Sequence, residues 1–292
     1  MRTNRDQALS ILILLPSVLA VGVFVYGFIG WTGYVSLSQW NSFVPDLSFA
    51  GLRNFVDLFE NPRFQIDLRN TAVFTGAFLT GCLGIGLLLA VLLDQQIRGE
   101  SLFRNVFLFP MSISFIVSGT AWQWLLNPST GVNLLLEAVG LGSLRSPWYT
   151  EPRTAIFSVV IAALWQMSGF TMAMYLAGLR GISDELREAA RVDGASETQL
   201  YRHIILPLLT PVTVTAVIIL GHISLKIFDL VFAMTGSGPA FSTDVPGIFM
   251  YETTFRGNRF AEGAAIAVVM LTLVAVVIIP YLVQVTRAEA ES

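Results

Sequence analysis

Charge is scarce in this chain, and so are the side chains on which most catalytic and metal chemistry depends. Only 13% of the 292 residues are charged, and the formal net charge is -3. No Lys/Arg-rich block occurs, so neither nucleic-acid binding nor tight attachment to an acidic surface is indicated. Cys82 is the only cysteine, which excludes an intrachain disulfide framework and a cysteine metal cluster. His203 and His222 are the only histidines, and no His-Glu-x-x-His zinc motif is present. The Gly236-Ser237-Gly238 turn offers a serine with no identifiable paired base, so a hydrolytic nucleophile is not supported. A phosphate-binding loop ends in Gly-Lys-Ser/Thr, whereas Lys226, the only lysine, lies between Leu225 and Ile227. The chain is therefore expected not to be an enzyme. Low-complexity tracts and clear internal repeats are also missing.

What the chain has is apolar surface. Hydrophobic residues make up 54% of it and the mean hydropathy is +0.68, more than a soluble core requires. Arg2 and Arg5 precede an apolar stretch that starts like a signal peptide. It continues too far for a signal core and is long enough for a retained helix across the roughly 30 Å hydrocarbon layer. Runs of about 20 apolar residues predict six spans, near 8–32, 70–94, 105–126, 154–177, 208–232 and 262–286, in one transmembrane domain over residues 1–292. An even number places both termini on one side. With cytoplasmic termini, the inside segments hold Arg2, Arg5, Arg98, Arg104, Arg180, Arg187, Arg191, Arg202 and Arg287 at roughly twice the density of the outside arginines, in line with the positive-inside bias. Outside, Trp40, Phe43, Phe49, Phe55, Phe64, Trp148 and Tyr149 are interfacial anchors, a docking face, or both.

The longest inside segment, 180–206, reads as two short helices separated by glycine. Ser183 is placed to cap the first, with Asp184 and Glu185 at the positive end of the helix dipole. Gly194 ends that helix, because glycine takes the left-handed conformation at little cost. Ser196 and Gln199 form a capping-box pattern for the second helix, which runs to Pro207. Glu188, Ala189, Ala190, Asp193, Gly194, Ala195, Ile204, Leu206, Pro207 and Pro211 keep the spacing of the hallmark loop of bacterial binding-protein-dependent ABC importer permeases. On these residues the chain resembles that family. Gly51-Leu52-Arg53-Asn54-Phe55, Asn70-Thr71, Thr235-Gly236-Ser237-Gly238-Pro239 and Ala261-Glu262-Gly263-Ala264-Ala265 extend the likeness to the sugar-importing branch of maltose and glycerol-phosphate permeases, and more finely to permeases of glucose/mannose importers.

The resemblance implies an all-α integral membrane fold in which the first short helix couples to an ATPase subunit through Glu188, Ala189, Ala190, Arg191, Asp193, Gly194, Ile204, Leu206 and Pro207. It implies two ATPase subunits that bind ATP and Mg, a second permease, an extracytoplasmic sugar-binding protein, and the cytoplasmic membrane of a bacterium or archaeon as the location. No cofactor is expected in this chain itself. Intramembrane polar residues usually face a cavity or another helix. His222, Lys226 and Asp229 are spaced for one face of the fifth span, as a sugar contact or an ion pair. Trp165, Gln166 and Thr171 in the fourth span and Gln123 in the third are further pathway candidates; the serines of the third span, Ser112, Ser114 and Ser118, are better read as helix-packing groups. A secondary transporter, or an ABC permease for a non-sugar solute, is the alternative function. An ion-coupled carrier would need buried carboxylates near the midplane, where only Asp229 comes close.

Overall fold

The computed structural model describes residues 4–95 and 97–291 and is helical almost throughout. In chain order the helices are α1 (Asn4–Val21, Gly22–Gly27 and Phe28–Ser36 end to end), α2 (Arg53–Glu60), α3 (Pro62–Asp94), α4 (Glu100–Leu108), α5 (Phe115–Leu125), α6 (Val132–Ala138) and α7 (Ala155–Arg180). They continue with α8 (Asp184–Val192), α9 (Glu197–Leu200, Tyr201–Ile205 and Leu206–Leu208), α10 (Thr210–Leu225), α11 (Asp229–Met234), α12 (Pro246–Tyr251) and α13 (Phe260–Glu291). Among the described residues the only β pairing outside the helices is an isolated antiparallel bridge, Ser38 with Phe49.

Four helices are long and apolar enough to cross a membrane singly: Ile11–Ser36, Pro62–Asp94, Ala155–Arg180 and Phe260–Pro280. Two further crossings require bent pairs. The third predicted run, 105–126, is not one helix: α4 with its 3-10 extension Phe109–Ser112 meets α5 at 101°. Pro110 cannot donate to the helical ladder, Ile113 is extended at φ -89° and ψ 140°, and Ser114 restarts the helix as an N-cap that accepts from the Val117 N–H. The fifth run, 208–232, is also revised. The helix bends by 61° between α9 and α10, where Pro211 lacks an N–H and its ring crowds the carbonyl four residues back. It then stops at Leu225. In that last turn the Ser224 hydroxyl bonds the Gly221 carbonyl at 2.9 Å, a local bond that competes with the ladder.

The backbone divides into two compact units: Met1–Phe64 with Phe249–Thr272, and Gln65–Ile248 with Leu273–Ser292. In the first unit a polar network ties the loop after α1 to the start of α13. Asn54 donates to the Ser36 and Ser38 carbonyls at 2.8 Å each, and the Glu262 N–H donates to Asn41 Oδ1 at 3.0 Å. The Ala261 N–H reaches the Trp40 carbonyl at 2.8 Å, and Trp40 stacks on Phe260 at 4.8 Å. Arg63 pairs with Glu252 at 2.6 Å and lies over the Phe249 ring.

The second unit is built around α7, whose apolar window is 72% buried. Its upper half packs Val159, Ala162 and Ala163 with Phe74 and Phe78 of α3 and Leu220 of α10. Its lower half packs Met172, Leu176 and Leu179 with Ala90 and Leu93 of α3. Lipid tails are as apolar as leucine, so close van der Waals approach must hold such helices together. Gly119 of α5 supplies it against α11: an added Cβ would lie 2.8 Å from the Leu230 carbonyl oxygen. At the other end of α3, Asn70 donates to the Phe241 and Asp244 carbonyls at 2.8 and 3.0 Å and so pins the turn that contains Gly236 and Gly238, both with positive φ.

Candidate functional site: the loop between α7 and α10

α8 starts where expected. Ser183 holds the extended N-cap backbone, φ -61° and ψ 139°, yet its side chain makes no capping hydrogen bond; the first-turn carboxylates of Asp184 and Glu185 remain to favour the helix start. The C-terminus is a Schellman closure. Gly194 has φ +82°, its N–H reaches the Arg191 carbonyl at 3.0 Å, and the Ala195 N–H reaches the Ala190 carbonyl at 3.0 Å. Two residues on, the Ser196–Gln199 capping box is formed in both directions. One glycine thus lets two capped helices meet at an angle without leaving buried backbone groups unpaired.

The helix has an inner and an outer face. Ala190 is buried with Leu179, Leu200, Ile205 and Leu209; withdrawing a leucine side chain from water contributes about 1.5–3 kcal/mol, which holds the loop against the ends of α3 and α7. Glu185, Glu188, Ala189, Arg191 and Asp193 point outward. So do Leu186 and Val192, which are 41% and 87% exposed. Both stand among charges on the outer face of a short helix. Arg191 pairs with Glu197 at 2.9 Å, and that carboxylate pushes the guanidinium above its ordinary value. The pair is well exposed and contributes little to stability. Ile204 packs against the inner cluster, while Leu206 and Pro207 are exposed at the bend toward α10.

Two contacts here escape the motif. Arg187 places Nη1 2.8 Å from Asp94 Oδ2 and Nη2 2.7 Å from the Leu179 carbonyl. Arg180 reaches Glu100 at 2.8 Å. A signal for the first existed: Asp94 lies in the last turn of a long apolar helix, where the dipole disfavours a carboxylate, so a cation was to be expected beside it.

The pathway candidates lie on several elements. α10 ends at Leu225, Lys226 is its C-cap and Asp229 opens α11. His222 and the C-cap Lys226 thus close α10 while Asp229 begins the next helix, and both charges are exposed. Gln166 is 2% exposed and donates to the Ile113 carbonyl at 2.7 Å, bracing the break between α4 and α5. Thr171 is fully buried and back-bonds to the Met167 carbonyl at 3.2 Å. Trp165 differs: it is 40% exposed and meets Trp122 edge to face at 5.9 Å. Gln123 is half-buried in α5. No group of three or more His, Cys, Asp or Glu suited to a metal exists among the described residues.

The family described as "Binding-protein-dependent transport system inner membrane component" matches residues 82–288, a stretch that contains the whole of α7 to α10. The chain belongs to that family. As a permease of this family it is similar to a probable ABC transporter permease protein of Pyrococcus horikoshii, 43% identical over 283 residues and 97% of each chain. It is also similar to the xylose/arabinose import permease protein XacH of Haloferax volcanii, 37% identical over 92% of this chain and 84% of the relative. Among solved structures, the permease fold matches a chain of a bacterial ABC transporter involved in the import of the acidic polysaccharide alginate. That match has a TM-score of 0.79 and 25% identity, over 94% of each chain.

Proposed function

We propose that this permease forms half of the translocation pathway of an ATP-driven sugar importer, with α8 as its coupling helix. The observation that carries the reading is the geometry of α8: a short helix closed at its C-terminus by Gly194 and anchored on its inner face, with Leu186, Glu188, Ala189 and Val192 outward. Sugar import is supported by XacH and by the alginate transporter. In this reading the two bent pairs each count as one crossing, which gives six spans in a single permease domain with cytoplasmic termini in the inner membrane. ATP and Mg are bound by two partner ATPase subunits. A second permease completes the pathway, and an external binding protein delivers the sugar. ATPase closure pushes α8, and the bend at Pro207 and Pro211 passes the stroke to α10. Trp165 is the pathway residue we favour, since an exposed indole held by a neighbouring ring can pack on the apolar face of a pyranose.

The test is uptake by the assembled importer in vesicles. Glu188→Ala or Gly194→Pro should lower ATP-driven uptake by roughly tenfold or more, within the usual range of coupling energies, while the chain stays in the membrane. Unchanged uptake together with unchanged co-purification of the ATPase would refute the coupling role. Trp165→Ala should lower uptake and leave ATPase assembly intact.

A further inference from the structure

Two helix ends converge on one arginine of a third helix. Arg187 belongs to α8, and its guanidinium holds Asp94 at the end of α3 and the Leu179 carbonyl at the end of α7 at the same time, at 2.8 and 2.7 Å. The two charged side chains are only 16% and 8% exposed, so solvent and salt screen the pair far less than the exposed Arg191–Glu197 pair. The planar fork of arginine suits two fixed acceptors, which a lysine ammonium could not grip in the same way. Beside it, Arg180 and Glu100 join the end of α7 to the start of α4, and the two pairs line a polar cleft of about 520 Å³.

α3 is the long element in this arrangement. Its 33 residues run unbroken from Pro62 to Asp94, about 50 Å at the usual rise. Near its other end, Asn70 grips the carbonyls of Phe241 and Asp244. One helix therefore joins the coupling loop to the turn at the far side of the same unit.

We propose that Arg187 is a positioning residue that clamps the coupling helix to α3, so that displacement of α8 is delivered to α3 and to the turn it holds, as well as to α10. The proposal rests on the coupling role assigned to α8. A shared two-state element biased from both ends is the physical requirement for such coupling, and the clamp supplies its inner attachment. Asp94 is then not a solvated helix end but the far jaw of the clamp.

Spin labels test this in the assembled importer carrying Cys82→Ser. Labels at Arg98→Cys and Thr198→Cys measure the distance across the clamp. Labels at Thr198→Cys and Arg153→Cys measure the distance from the coupling loop to the opposite end of α7. The probe is MgATP with vanadate against the nucleotide-free complex. The expected result is that nucleotide shifts the second distance, whereas the first keeps one narrow distribution in both states. Asp94→Asn, which keeps size but removes charge, should broaden or split the first distance upon nucleotide binding, and Asp94→Glu should restore it. A single narrow first distance in Asp94→Asn, or a split one in the unmodified clamp, would overturn the proposal. If nucleotide leaves the second distance unchanged, the coupling role of α8 fails and the clamp falls with it.

Discussion

The apolar helices α1 and α7 sit in opposite surroundings. The most apolar 18-residue windows of Ile11–Ser36 and Ala155–Arg180 have mean hydropathies of 2.4 and 1.6; the first is 0% buried within the chain and the second 72%. The less apolar helix is the buried one. In water that order would be surprising. In a bilayer it is expected, because lipid tolerates an apolar surface and rejects polar groups, so the helix that carries Gln166, Ser168 and Thr171 must turn them toward protein. Small residues follow the same division. Gly169 of α7 lies where a Cβ would stand 1.9 Å from the Phe107 carbonyl oxygen, whereas a Cβ on Gly30 of α1 would meet nothing within 4 Å.

Substitutions can break this contrast, beginning with the largest effect. Gly169→Leu should disrupt the packing of α7 on α4 by about 3 kcal/mol or more, seen as loss of the folded chain in detergent thermal unfolding. Gly30→Leu should leave the melting curve in place, and equal losses at both positions would erase the distinction. Next is Gln166→Leu, which removes the donor to the Ile113 carbonyl at the α4–α5 break and should cost about 1–2 kcal/mol by the same measurement. The smallest change is expected from Thr32→Val. Thr32 donates to the Phe28 carbonyl of its own helix at 2.8 Å, so the shift should stay within about 0.5 kcal/mol. A Thr32→Val loss as large as that of Gln166→Leu would mean that α1 is as dependent on polar contacts as α7.

The loop between α7 and α10 was the most legible part of the molecule, since its signals are local. Gly194, Ser196 and Gln199 act through backbone groups within a few residues, and their caps form as the spacing predicts. The breaks at Ile113 and Leu225 were far less legible. Apolar runs of 22 and 25 residues read as continuous because hydropathy is blind to direction, and Pro110 or Ser224 alone does not announce a turn of the chain. The same blindness hid the helix end between His222 and Asp229. Asn54 and Asn70 show another limit. Both sit in segments that suggested the sugar-permease branch, and in the fold both hold loop carbonyls at 2.8 to 3.0 Å.

By itself the sequence determined that the chain crosses a membrane and that a capped helix pair hinges on Gly194. Composition, periodicity and short-range hydrogen bonding carry those facts within a few residues. Only the tertiary structure decided which apolar helix is central, where two apolar runs bend, and that Arg187 meets Asp94 across 93 positions of chain. Such choices depend on which polar groups find partners in a medium without water, and distant residues supply those partners only after the helices have packed.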